Sequence, residues 1–123
     1  MKLLNRSALL VLPRQPYLDW INALPSEISE LEQPLDMAAL EAEGRVYLLD
    51  EADDDEPDAA KLLAIQLQHS WELLLENELG AWDELGRHWP EPLSQELLQQ
   101  WFELKPLSLA FDAAREPLML ASL

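Results

Sequence analysis

A chain of 123 residues, 49% of them apolar and none of them cysteine, is long enough for one domain with a single core, and its composition excludes disorder, disulfides and thiolate chemistry. Its 24 acids outnumber 8 lysines and arginines for a net charge of −16, which excludes charge-driven binding to nucleic acid or to anionic lipid and favours a basic protein surface as partner. No apolar run approaches the roughly 18 residues of a membrane helix.

The first stretch, MKLLNRSALLVLP, is interrupted by Arg6 and followed by no small-residue cleavage site, so it does not read as a signal peptide and a cytoplasmic protein is expected. Within it Ser7–Leu12 is almost continuously apolar and is closed by Pro13. That pattern predicts a strand covered on both faces and central in its sheet. Pro16 then opens a helix in which Tyr17, Trp20, Ile21 and Leu24 follow i, i+3, i+4, i+7 spacing before Pro25 ends it. Ser26–Pro34 is polar and predicts a loop or a single turn. Asp36 is a fitting N-cap for a short helix over Met37–Glu43, with Gly44 as the left-handed residue after it. Arg45–Asp50 (RVYLLD) predicts the second strand.

The acidic run Glu51–Asp58 (EADDDEPD) leads into the longest helical pattern, Pro57–Trp89. Acids at this position suit the positive end of the helix dipole, and Pro57 suits a first turn. Leu63, Leu67, Trp71, Leu74 and Trp82 share one face, widened by Ala60, Ala64, Leu75 and Leu85. Lys61, Gln68, Glu72, Glu76 and Asp83 fall on the other. Gly80 is expected to end or kink this helix, with a second short helix running on to Trp89. Glu78 lies eleven positions after Leu67, so an unbroken helix would aim it at the core. Either the turn at Gly80 swings it outward to solvent, which the rarity of buried Glu favours, or it is a buried acid with a raised pKa.

After Pro90–Pro92, the residues Leu93, Leu97, Trp101 and Leu104 mark a fourth helix. Pro106 separates it from a half-buried strand over Leu107–Asp112. Pro117–Ala121 predicts a further edge strand or a packed tail. The whole chain, 1–123, reads as one α+β domain: a small three- or four-stranded sheet packed against about four helices. Its strand-to-strand connections are long enough to allow parallel pairing.

The chemistry that can be read is sparse. Asp50, Glu51, Asp53, Asp54, Asp55 and Glu56 put hard oxygen ligands in one loop, but the glycine and the final glutamate of a calcium loop are absent, and no metal or cofactor is expected. His69 with Glu72, and Glu84 with His88, each make a single pair where a catalytic zinc needs three ligands. Neither Ser70 nor Ser94 sits in a nucleophile motif, and Gly80 and Gly86 match no phosphate loop. Of the five tryptophans, Trp82 and Trp89 could line an aromatic groove for a cationic side chain instead of filling the core.

Four landmarks together, Asn5-Arg6-x-Ala8-Leu9 running to Pro13, Pro16-x-Leu18-Asp19-Trp20, Trp89-Pro90 and Trp101-Phe102, resemble a group of small acidic bacterial proteins of unknown function. The resemblance implies a bacterial cytoplasmic protein and brings no functional residues with it. The expected function is a non-enzymatic interaction module in which the acidic loop, aided by Trp82 and Trp89, holds a basic partner. One alternative is a mimic of nucleic-acid charge. A second is a metal-dependent hydrolase using the acidic loop with His69 or His88, and a third is a structural subunit of a larger assembly.

Overall fold

The computed structural model describes residues 1–52 and 58–123. Three antiparallel strands form its centre: β2 (Ser7–Pro13) lies between β3 (Arg45–Leu49) and β4 (Phe102–Leu107). A separate two-stranded ribbon pairs β1 (Lys2–Leu4) with β5 (Ala110–Asp112). Five helices complete the fold: α1 (Gln15–Ala23), the single turn α2 (Ser26–Ser29), α3 (Met37–Ala42), α4 (Ala59–Gly80) and α5 (Gln95–Trp101).

The expected parallel pairing does not occur, and the strand order explains why. Leu9 pairs with Tyr47 and Val11 with Arg45 on one side; Val11 pairs with Leu104 and Ala8 with Leu107 on the other. The excursion through α1, α2 and α3 leaves the sheet at Pro13 and returns beside Val11, so it begins and ends at one end of the sheet. The long α4 then carries the chain back to that end, and β4 runs in the same direction as β3. The crossover geometry is therefore present, but β2 already occupies the place between the two like-directed strands, and both ladders are antiparallel.

Alternation along the strands sets two faces. Leu9, Val11, Tyr47, Phe102 and Leu104 point to the face on which the helices gather, where they meet Tyr17, Ile21, Leu40, Leu67, Leu74, Leu75, Leu79 and Leu98 in one core. The opposite face carries Val46, Leu48 and Leu107, all exposed. As expected, β2 is central and none of its residues is exposed, Ala8 on the outer face being buried, but the helices lie on one side only and leave the flanking strands open on the other.

Other boundaries move for local reasons. Asp36 caps α3 as expected, accepting from the Ala39 N–H at 2.8 Å, and Asp58 and Ser94 cap α4 and α5 in the same way. Gly44 is not left-handed. A side chain there would stand 3.1 Å from the Glu41 carbonyl oxygen and 3.3 Å from Leu12, so close approach of β2 and the end of α3 is what requires glycine. The fourth helix stops at Trp101, and Phe102, Leu104 and Pro106 belong to β4. Pro106 is tolerated because β4 is an edge strand. Pro117–Ala121 is neither a strand nor a packed tail: the segment is exposed and outside regular structure.

Candidate functional site

Asp50, just after β3, sits over a small polar network. Ser7 Oγ donates to the Asp50 carbonyl at 2.9 Å and accepts from Gln66 Nε2 at 3.1 Å, and the same Nε2 donates to the Ala8 carbonyl at 3.0 Å. Ser7 and Gln66 are both buried, so this network fixes the backbone at Asp50, where the chain leaves the sheet. Gln66 Oε1 is buried with no hydrogen-bond partner among the described residues. A buried carbonyl in that state costs about 1–3 kcal/mol.

Beside this network lies a cleft of about 330 Å³ between the end of β3 and the first half of α4, walled by Leu49, Asp50, Glu51, Gln66, His69 and Ser70. Two of the predicted binding residues, Asp50 and Glu51, are on its rim. Asp53, Asp54, Asp55 and Glu56 lie outside the described residues. Among the described residues no three His, Asp or Glu side chains converge in a way that could hold a metal ion, and no helix is long and apolar enough to cross a membrane.

A second acidic centre lies at the far end of α4. Gly80 ends the helix as expected, but the last turn stays regular, so the expectation that Glu78 swings out to solvent is overturned: Glu78 is 4% exposed. Its Oε1 accepts from the Tyr47 hydroxyl at 2.8 Å and its Oε2 from Arg45 at 3.3 Å, while Asn77 donates to the Tyr47 oxygen at 2.9 Å. The Tyr17 hydroxyl donates to the Glu78 backbone carbonyl at 2.7 Å. Burial raises the Glu78 pKa, and the Tyr47 hydrogen bond and Arg45 charge pull against that rise. Both tyrosines are pushed above their ordinary values, first by burial and then by the Glu78 charge. The adjoining cavity is only about 10 Å³, room for one water molecule, so the cluster ties β3, α1 and α4 together and offers no substrate space.

Trp82 lines that small cavity with Glu43, Arg45 and Glu78, and Trp89 is not part of its wall. Trp89 instead packs on Gly86 and donates through Nε1 to the Asp83 carbonyl at 2.9 Å. Asp83, expected on the outer side of a helix, is 2% exposed because the helix has ended: its Oδ2 accepts from the His88 N–H at 2.7 Å and closes the turns that replace the expected second helix. Glu84 and His88 consequently share no helix face. His88 is held through its backbone, its carbonyl accepting from Trp20 Nε1 at 2.9 Å. Ser94 serves as the cap of α5.

Sequence reasoning missed Gln66, Arg45 and Tyr47. The buried side of α4 is centred on Leu62, Gln66, Leu67, Leu74, Leu75, Glu78 and Leu79, a rotation away from the stripe through Leu63 and Trp71. The signal for Gln66 was its place one turn after Leu62 and beside Leu67, a polar residue on an apolar arc. No protein-family model, curated protein or solved structure matches the chain.

Proposed function

We propose that this is a non-enzymatic interaction module of the bacterial cytoplasm that holds a basic protein surface at the cleft between β3 and α4. The observation that carries the reading is the company Asp50 and Glu51 keep. They flank a cleft large enough for a long cationic side chain, and beside it Gln66 holds a buried carbonyl oxygen that has no donor among the described residues. An arginine suits this setting, since its guanidinium carries five donors and pairs with carboxylates in a forked geometry. The net charge of −16 brings a basic partner in from a distance, and the cleft then selects the side chain that enters.

The test is titration of an arginine-rich peptide, and of bacterial lysate by pull-down, at low and moderate salt. Asp50→Asn with Glu51→Gln should weaken peptide binding about tenfold, the worth of one or two partly exposed charge pairs. Binding should also fall as salt rises. Peptide affinity indifferent to both the double substitution and the salt would rule this cleft out. His69 stands in the same cleft, so the hydrolase alternative is tested there too. Stoichiometric uptake of magnesium, manganese, calcium or zinc, lost on His69→Ala, would favour it over the interaction module.

A further inference from the structure

One part of the outer face of the sheet, where the ends of β3 and β4 meet the ribbon, is apolar and exposed. Val46 and Leu48 from β3, Leu107 from β4, Leu109 and Phe111 from the following turn and ribbon, and Leu118 are each between 46% and 61% exposed. A solvated face would carry polar residues at these positions, and these six instead surround a groove of about 490 Å³. Apolar residues gathered around one open groove, unlike single scattered ones, mark an interaction surface.

We propose that this face is a two-fold interface between two copies of the chain. Charge distribution chooses the occupant. The segments that build most of the face, residues 1–12 and 102–123, hold four of the 8 bases but only three of the 24 acids: Lys2, Arg6, Lys105 and Arg115 against Glu103, Asp112 and Glu116. The remaining 21 acids lie between them in the sequence, on the helices, β3's end and the loops. A basic partner is therefore drawn elsewhere, and a second copy meets the least acid-to-acid repulsion here. Both signs are also on offer. Glu103 and Lys105 stand 3.8 Å apart on the outer side of β4, so a two-fold axis near that strand brings each opposite the other's counterpart. This interface is separate from the cleft between β3 and α4 and stands or falls independently of it.

Sedimentation and light scattering of the full chain at about 100 µM, far above a micromolar Kd, should return twice the 14.1 kDa chain mass. Val46→Asp with Leu107→Asp should return 14.1 kDa with an unchanged circular dichroism spectrum. Leu109→Asp with Leu118→Asp, which spares the three-stranded ladder, should do the same and guards against misfolding of the first variant. Raising salt should tighten the dimer by screening the remaining acids, the opposite of its effect on a basic partner. A wild-type chain of monomer mass at that concentration overturns the proposal, as does a dimer that survives both double substitutions.

Discussion

Glu78 shows how a single residue can be half legible. Its spacing from Leu67 pointed it at the core, and it is there. What the spacing could not supply was its partners, because Arg45 and Tyr47 lie on β3 and meet α4 only through the sheet register. Without visible partners the solvated alternative looked cheaper. The pairing has measurable consequences. Glu78→Gln keeps an oxygen for the Tyr47 hydroxyl and removes the buried charge, while Arg45, whose side chain is 33% exposed, can turn to water. Stability at pH 7 should therefore change by less than about 1 kcal/mol, whereas Glu78→Ala, which strands the Tyr47 hydroxyl, should cost about 2–3 kcal/mol. The sign of the pH dependence follows from the raised folded pKa. The folded state holds the Glu78 proton where the unfolded chain has lost it. This contribution is complete below the unfolded value of about 4.3 and disappears as pH rises through the folded value. Urea melts should show wild type gaining stability between pH 7 and pH 5, and Glu78→Gln gaining less. Equal gains would mean that Glu78 does not titrate in that window.

At the scale of elements, caps and punctuation were readable and endpoints were not. Asp36 announced α3 because an N-cap is a local device, one side chain bonding a backbone three residues on. The stretch Ala81–Trp89 kept a helical pattern of apolar residues, yet it folds as turns held by Asp83 and by Gly86 at φ +72°. Periodicity could not reveal this, since the side-chain spacing is that of a helix and only the backbone departs from it. Gly86→Ala should destabilise the protein by about 1–2 kcal/mol, the cost of a left-handed residue with a Cβ. A methyl there would also stand 3.4 Å from the Trp89 ring, so a change in tryptophan emission should accompany the loss. Thermal melts read by fluorescence check both, and an unchanged melting temperature would contradict the assignment of strain to this turn. The misplaced start of β4 has a similar origin. Leu97, Trp101 and Leu104 keep helical spacing across the helix end, and the sheet claims Phe102 onward because β2 needs a second partner.

For the molecule as a whole, the α+β class and a central β2 were visible in the order of patterns, and the pairing direction was not, since it depends on which strand sits between β3 and β4. The acidic character was visible at once, and its arrangement required the fold. With −16 charges on 123 residues, self-repulsion opposes compaction. Raising salt at pH 7 from 0.01 M, where the Debye length is about 30 Å, to 0.1 M, where it is about 10 Å, should therefore raise the melting temperature. The rise should be about 4 °C for each kcal/mol of repulsion relieved. A melting temperature indifferent to salt would mean that the acids are too well spread to repel.

The place of β2 in the sheet also dictates an order of events during synthesis. β2 is made before both of its partners, Arg45–Leu49 and Phe102–Leu107. A nascent chain ending before Phe102 has the strand that organises the core and only one of its two neighbours. It also lacks Phe102 itself, which packs against Tyr17 with ring centroids 4.5 Å apart. The sheet cannot close until β4 has been made, and the apolar inner face of β2 must wait in the meantime. Closing such distant contacts is slow compared with forming α4, whose bonds are all local. Chains truncated before Phe102 should thus retain helix and lack a cooperative thermal transition.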